Sequence, residues 1–218
     1  MKTLKIFSIL AILALSVGLT ANQAAATLIT SLPEGSVITM PSVNYFGQGP
    51  ESMAPGVTWS SNNANPNSLS VFGYSGTYGF EPNGIWDGMT MAGLNTTSGT
   101  MTFAFASPVN AVGGFMNYAP ATGTPTIAVY DAGMNLLESA TLSFSVSGAN
   151  AGQFLGFLEN SNISFFTLTD AYIGITDLTV WSEPGNGDHC NPVPEPSTFI
   201  LLGAGLLGLC IRSRMARK

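Results

Sequence analysis

Apolar and polar residues alternate through the second half of the chain. Met101, Phe103 and Phe105 share one face of residues 100–106, and Leu142, Phe144 and Val146 share one face of residues 141–147. A period of two over seven residues predicts half-buried strands, because successive side chains of an extended backbone point to opposite sides. Similar patterns predict strands at 109–116, 126–130, 153–158, 163–168 and 172–181. Gly, Pro and Asn separate them at intervals that suit an antiparallel sandwich. In the last segment Ile173 and Ile175 share a phase, while Leu178 and Val180 share the opposite one. One extra residue near Thr176 and Asp177, a β-bulge, would rephase the strand and bury both sets. Residues 47–99 are rich in Gly, Asn and Ser and read as long loops and short strands. Turns are expected at Pro55-Gly56, Asn65-Pro66 and Asn83-Gly84. No helical period appears between the two ends. The expected fold is all-β: one antiparallel, jelly-roll-like β-sandwich over 27–181, followed by a linker over 182–193.

The two ends differ from this interior. Residues 1–26 have the layout of a secretory signal peptide, with Lys2 and Lys5 ahead of an apolar stretch and small residues closing it. Ala24 and Ala26 occupy the small-x-small positions, so cleavage is expected after Ala26. At the other end an apolar segment over 198–211 precedes a basic tail over 212–218, with Arg212, Arg214, Arg217 and Lys218. Fourteen helical residues cover about 21 Å, short of the roughly 30 Å hydrocarbon core, but the cations at its end favour a transmembrane helix held from the cytoplasmic side. Just before it, Pro194 and Pro196 flank Glu195 and hold the backbone extended.

At residues 194–218 the chain resembles the PEP-CTERM sorting signal: Pro-Glu-Pro, a short apolar helix and an Arg-rich tail. The resemblance implies processing by an exosortase, a membrane-embedded protease-transpeptidase, in a bacterium with an exopolysaccharide matrix. Pieces of 100–181, among them Val129-Tyr130-Asp131-Ala132-Gly133 and Ile175-Thr176-Asp177-Leu178, also look like the β-sandwich ectodomains of PEP-CTERM proteins. Where that pattern often has two consecutive acids in the final strand, this chain has Thr176-Asp177.

Charge narrows the function. Only 8% of the 218 residues are charged, and all six Lys and Arg lie in the two ends. Nucleic-acid binding needs cations against phosphates, and Walker-type nucleotide chemistry needs a lysine, so both are excluded for the interior. No Gly-x-Ser-x-Gly, His-Glu-x-x-His or Cys-x-x-Cys occurs. The single histidine, His189, sits beside Cys190 in the linker, where neighbouring side chains of an extended chain point apart. Cys210 belongs to the apolar end segment, so Cys190 is an odd thiol available for intermolecular pairing.

Three chemistries remain. Sugar rings stack on exposed aromatics, and Trp59, Tyr74, Tyr78 and Trp86 lie among Asn and Ser in the loop-rich half. Calcium needs several oxygens, with Asp131, Asp170 and Asp177 as the candidate ligands. Glycoside hydrolysis needs two carboxylates, drawn from Glu51, Glu81, Asp87, Glu138 and Glu159. The reading is an exported surface or extracellular-matrix protein, structural or glycan-binding rather than enzymatic. An extracellular polysaccharide-active glycosidase is the alternative. The partners expected are an exosortase, the membrane before processing, and extracellular polysaccharide.

Overall fold

A computed structural model of the chain describes residues 26–183, apart from the side chains of 160–162. Residues 1–25 of the signal peptide, most of the linker, the sorting motif, the 198–211 segment and the basic tail lie outside the described residues. Among the described residues no helix is long and apolar enough to cross a membrane.

Fourteen strands follow one another: β1 (Thr27–Ile29), β2 (Ser36–Val37), β3 (Tyr45–Phe46), β4 (Glu51–Ala54), β5 (Val57–Ser61), β6 (Val71–Tyr74), β7 (Tyr78–Gly79), β8 (Ile85–Trp86), β9 (Met91–Gly93), β10 (Thr100–Asn117), β11 (Thr126–Tyr130), β12 (Leu136–Thr141), β13 (Gln153–Thr169) and β14 (Gly174–Trp181). Among the described residues one 3-10 turn spans Glu81–Asn83. The domain is an all-β, antiparallel sandwich, and every ladder between named strands is antiparallel.

Two long strands organise it. β10 and β13 run side by side over nearly their whole lengths, with the ladder irregular between Ala104 and Ala111. Before that break β10 has β5 on its other side and β13 has β11. Beyond it β10 has β14 and β13 has β1. The two strands therefore pass from one layer of the sandwich into the other. The segments expected at 100–106 and 109–116 are halves of one strand, and so are 153–158 and 163–168. Pro108 does not end β10, because a missing N–H is tolerated where the ladder is already irregular.

In the first layer one row of facing residues crosses six strands: Glu51, Trp59, Phe103, Phe166, Val129 and Glu138. Its four central members are fully buried. They join Val112, Phe157, Ile175 and Leu178 of the second layer in one apolar cluster. Glutamates end the row at both edges, where an inward-facing charge discourages another strand from adding. Gly113 and Gly156 face each other in the second layer, and a Cβ on Gly156 would stand 2.3 Å from the Val112 carbonyl oxygen. Only glycine lets the ribbon close there.

The expected bulge in the last strand is present. Phe115 pairs with Thr176 and Gly113 with Thr179, so Asp177 and Leu178 together face Gly114. Asp177 takes a positive φ of 51°, and Leu178 is buried beyond it. The strand expected at 141–147 is a correction. Its alternation holds, with Leu142 buried and the serines exposed, but no strand pairs with residues 142–147. Val146 N–H donates to Asn83 Oδ1 at 3.4 Å, and the Phe144 carbonyl accepts from the Tyr118 hydroxyl at 2.6 Å. Periodicity encodes a buried face and is silent about who satisfies the backbone. The real edge strand is β12, immediately before it.

Candidate functional site

The four aromatic candidates divide sharply. Trp59 is fully buried, stacked on Phe72 at 5.2 Å and edge-on to Tyr45 at 6.3 Å. Trp86 is fully buried in a second cluster, edge-on to Phe80 at 4.9 Å, and its indole N–H donates to the Ala151 carbonyl at 2.7 Å. Tyr78 packs in the same cluster; its hydroxyl donates to Tyr172 O at 3.1 Å and accepts from Asn95 N–H at 2.8 Å. Burial pushes its phenol well above the ordinary range. None of these three offers a face to a ligand, which corrects their assignment as glycan contacts. A Trp in a mostly polar segment is still the largest apolar surface to remove from water.

Tyr74 is different. It is half-buried at the end of β6, and Phe46 of β3, 51% exposed, meets it edge-on with ring centroids 5.6 Å apart. The local backbone sets this pair. Gly73 has φ +59°, and a Cβ there would stand 2.1 Å from the Pro41 carbonyl oxygen. Its own carbonyl accepts the N–H groups of Val43 and Asn44 at 3.1 and 2.9 Å. Asn44, itself at φ 47°, takes the Ser75 N–H on its side-chain oxygen at 3.1 Å. The chain so pinned enters β3 with Tyr45 turned inward and Phe46 outward. Alternation at the Tyr45-Phe46 dipeptide, two adjacent aromatics of which only one can be buried, is the sequence signal for Phe46. Tyr45 borders an open surface depression of about 400 Å³, lined also by Gln48, Asn63 and Pro66, among others.

The calcium candidates are not assembled. Asp131 closes the β11–β12 hairpin: Oδ1 accepts the N–H groups of Gly133 and Asn135, and Oδ2 accepts the Asn135 side-chain amide, each at 2.8 Å. The Asn135 amide, then its N–H, holds this carboxyl below its usual range. Asp170 accepts the Gly99 N–H at 3.0 Å. Asp177 borders a groove of about 340 Å³ with Met40, Met89, Thr90 and Thr176, and is the one charged residue lining it. Calcium takes six to eight oxygens, and among the described residues no three metal-ligating side chains gather.

The carboxylates of the hydrolase alternative are scattered over the elements. Glu51 and Glu138 end opposite edges of the six-strand row, five strand spacings of about 4.8 Å apart, or about 24 Å along the sheet. Glycosidase pairs work at about 5 to 9.5 Å. Glu81 lies in the 3-10 turn, and Asp87 accepts the Thr77 hydroxyl at 2.7 Å. Glu159 is the one buried acid among the described residues, 3% exposed.

Residues 192–215 match the PEP-CTERM protein-sorting motif. No curated protein matches the chain in sequence. Among solved structures, a CBM29-2 mutant from a study of family 29 carbohydrate-binding modules aligns with a TM-score of 0.35 and 15% identity, over 76% of this chain and 99% of that one. The lectin domain of lectinolysin complexed with Lewis B antigen aligns at 0.32 and 8%, over 74% and 94%. A Streptococcus pneumoniae fucose-binding module aligns at 0.32 and 8%, over 43% and 71%. At these scores the alignments carry no argument about ligands.

Proposed function

We propose that this chain is an exported envelope or extracellular-matrix protein whose β domain works by binding rather than catalysis. Residues 1–26 start its translocation and leave after Ala26. The 198–211 segment and the cations behind it hold the chain in the membrane until an exosortase acts at Pro194-Glu195-Pro196. The observation that carries this reading is the sorting motif at 192–215, together with the confinement of every Lys and Arg to the two ends. Replacing Pro194, Glu195 and Pro196 by alanine leaves full-length protein in the inner membrane, read by fractionation and C-terminal mass spectrometry. Trimming at the normal rate in that variant overturns the sorting role.

The binding partner that suits this domain is a neutral glycan. The Phe46–Tyr74 pair, with Phe46 exposed and Tyr74 half-buried, offers apolar ring surface to sugar C–H groups. The domain's ten acids and lack of bases disfavour an acidic polymer through like-charge repulsion. In affinity electrophoresis through neutral extracellular polysaccharide, Tyr74→Ala and Phe46→Ala each weaken retardation about fivefold or more, the loss expected of an aromatic anchor. Unchanged retardation in both variants moves the binding surface elsewhere.

A further inference from the structure

The groove beside Asp177 is made by the strands around it. β10 lies along one edge of β14, and two short strands divide the other. β9 pairs there with Gly174 and Ile175, and β2 with Thr179 and Val180. Neither strand reaches the bulge, so Thr176 and Asp177 border a groove of about 340 Å³. Apolar Val37, Met40 and Met89 line it together with the hydroxyl-bearing Thr39 and Thr90. Such a mixture suits a sugar ring, which presents C–H groups on its faces and hydroxyls at its rim.

Asp177 adds an uncommitted charge. Four aspartates lie within residues 26–183. The carboxylates of Asp87, Asp131 and Asp170 accept hydrogen bonds from Thr77, Gly133 and Gly99. Asp177 is exposed, and only its backbone carbonyl accepts, from the Thr179 hydroxyl at 2.8 Å. Among the described residues its carboxylate has no hydrogen-bond partner. No Lys, Arg or His within 26–183 can pair with it either. A cation must therefore come with the ligand, and the surplus of acids across the domain draws one in.

The groove is also placed to share a ligand with the Phe46–Tyr74 pair. Met89 of the groove and Tyr74 both pack against the cluster of Val71, Trp86 and Met91, so they lie on one side of the sheet. In the strand order β14-β9-β6, Tyr74 stands two strand spacings from Thr176, about 10 Å. Neighbouring units of one polysaccharide can span that distance.

We propose that the groove binds a sugar unit carrying a free, protonated amine, with the ammonium on the Asp177 carboxylate and the ring against Met40 and Met89. The polymer is then uncharged over most of its units and bears amines on some. The inference rests on the glycan reading of the domain, and its test separates the two.

Amide NMR spectra of the isotope-labelled exported protein are recorded at pH 6, below the range of an amine. The ligands are glucosamine, N-acetylglucosamine and Nα-acetyl-lysinamide. Glucosamine is expected to shift the amides of Ile38, Thr90 and Asp177 and to bind about fivefold tighter than its N-acetyl form, the upper end for an exposed ion pair. Asp177→Asn and Asp177→Gly both suit the left-handed backbone of the bulge, and each removes that preference. Equal affinity for the two sugars, or a preference that survives in both variants, overturns the ammonium–carboxylate pair. Nα-acetyl-lysinamide shifting the same amides as tightly as glucosamine overturns the sugar assignment in favour of a basic peptide. Polysaccharide retardation that depends on Tyr74, with no sugar shifting the groove amides, overturns the groove and leaves the glycan reading standing. Absence of both overturns the glycan reading itself.

Discussion

Asp131 illustrates how one side chain serves a turn instead of a ligand. Its three hydrogen bonds favour the ionised form, and the folded-state pKa lies below the unfolded one. The resulting stability is present above the unfolded pKa of about 3.9 and is lost as pH falls through the lower folded value. Asp131→Ala should therefore melt lower than wild type at pH 7, with the gap closing toward pH 2 in a thermal series. A gap independent of pH would assign the residue's role to packing alone. Asp177 has a backbone role as well. At φ 51° in the bulge it occupies a conformation that costs most residues about 1–2 kcal/mol and glycine nothing. Asp177→Gly should raise stability by up to about 1 kcal/mol in denaturant melts, while the β-branched Asp177→Val lowers it by more than that.

Among the elements, the β10–β13 ribbon matters most, because both layers hang from it. Its tightest point is the Gly113–Gly156 pair. Gly156→Ala puts a methyl group against the Val112 carbonyl and the Gly113 Cα, both backbone atoms that yield only if the strands separate. The expected loss is about 2–4 kcal/mol, in the range of backbone clashes and core strain, with earlier hydrogen exchange along β10 and β13. Gly148→Ala is the control, since a Cβ there meets nothing within 4 Å, although its positive φ costs about 1 kcal/mol. The ribbon's halves were legible as alternating segments. Their continuity was not, because Ser107-Pro108 reads locally as a break, and the bend between layers is fixed by partners more than forty residues away. The phase slip at Thr176-Asp177, in contrast, is written within eight residues, and the bulge was readable from them.

For the whole molecule, electrostatics is unusually one-sided. Of the twelve acids only Asp188 and Glu195 lie beyond Glu183, leaving ten in the domain with no base. Side-chain ion pairs cannot hold such a fold, and the net term is repulsion. Its melting temperature should rise as NaCl goes from about 10 mM, where the Debye length is about 30 Å, to about 150 mM, where it is about 8 Å. A fall would mean that attractive pairs outweigh the repulsion. Several features were readable along the chain because each depends on near neighbours. These are the sorting motif, the all-β class and the charge segregation, since hydrophobic period and linear motifs are local. Which aromatics stay in water was not readable. Trp59 and Trp86 sit in the same polar texture as Tyr74, and only cross-strand register, which pairs Trp59 with Phe103 forty-four positions away, sends one to the core and leaves the other at the edge. The same register puts Glu51 and Glu138 at opposite edges. Burial and distance are properties of pairs far apart in sequence, so the tertiary structure alone decided them.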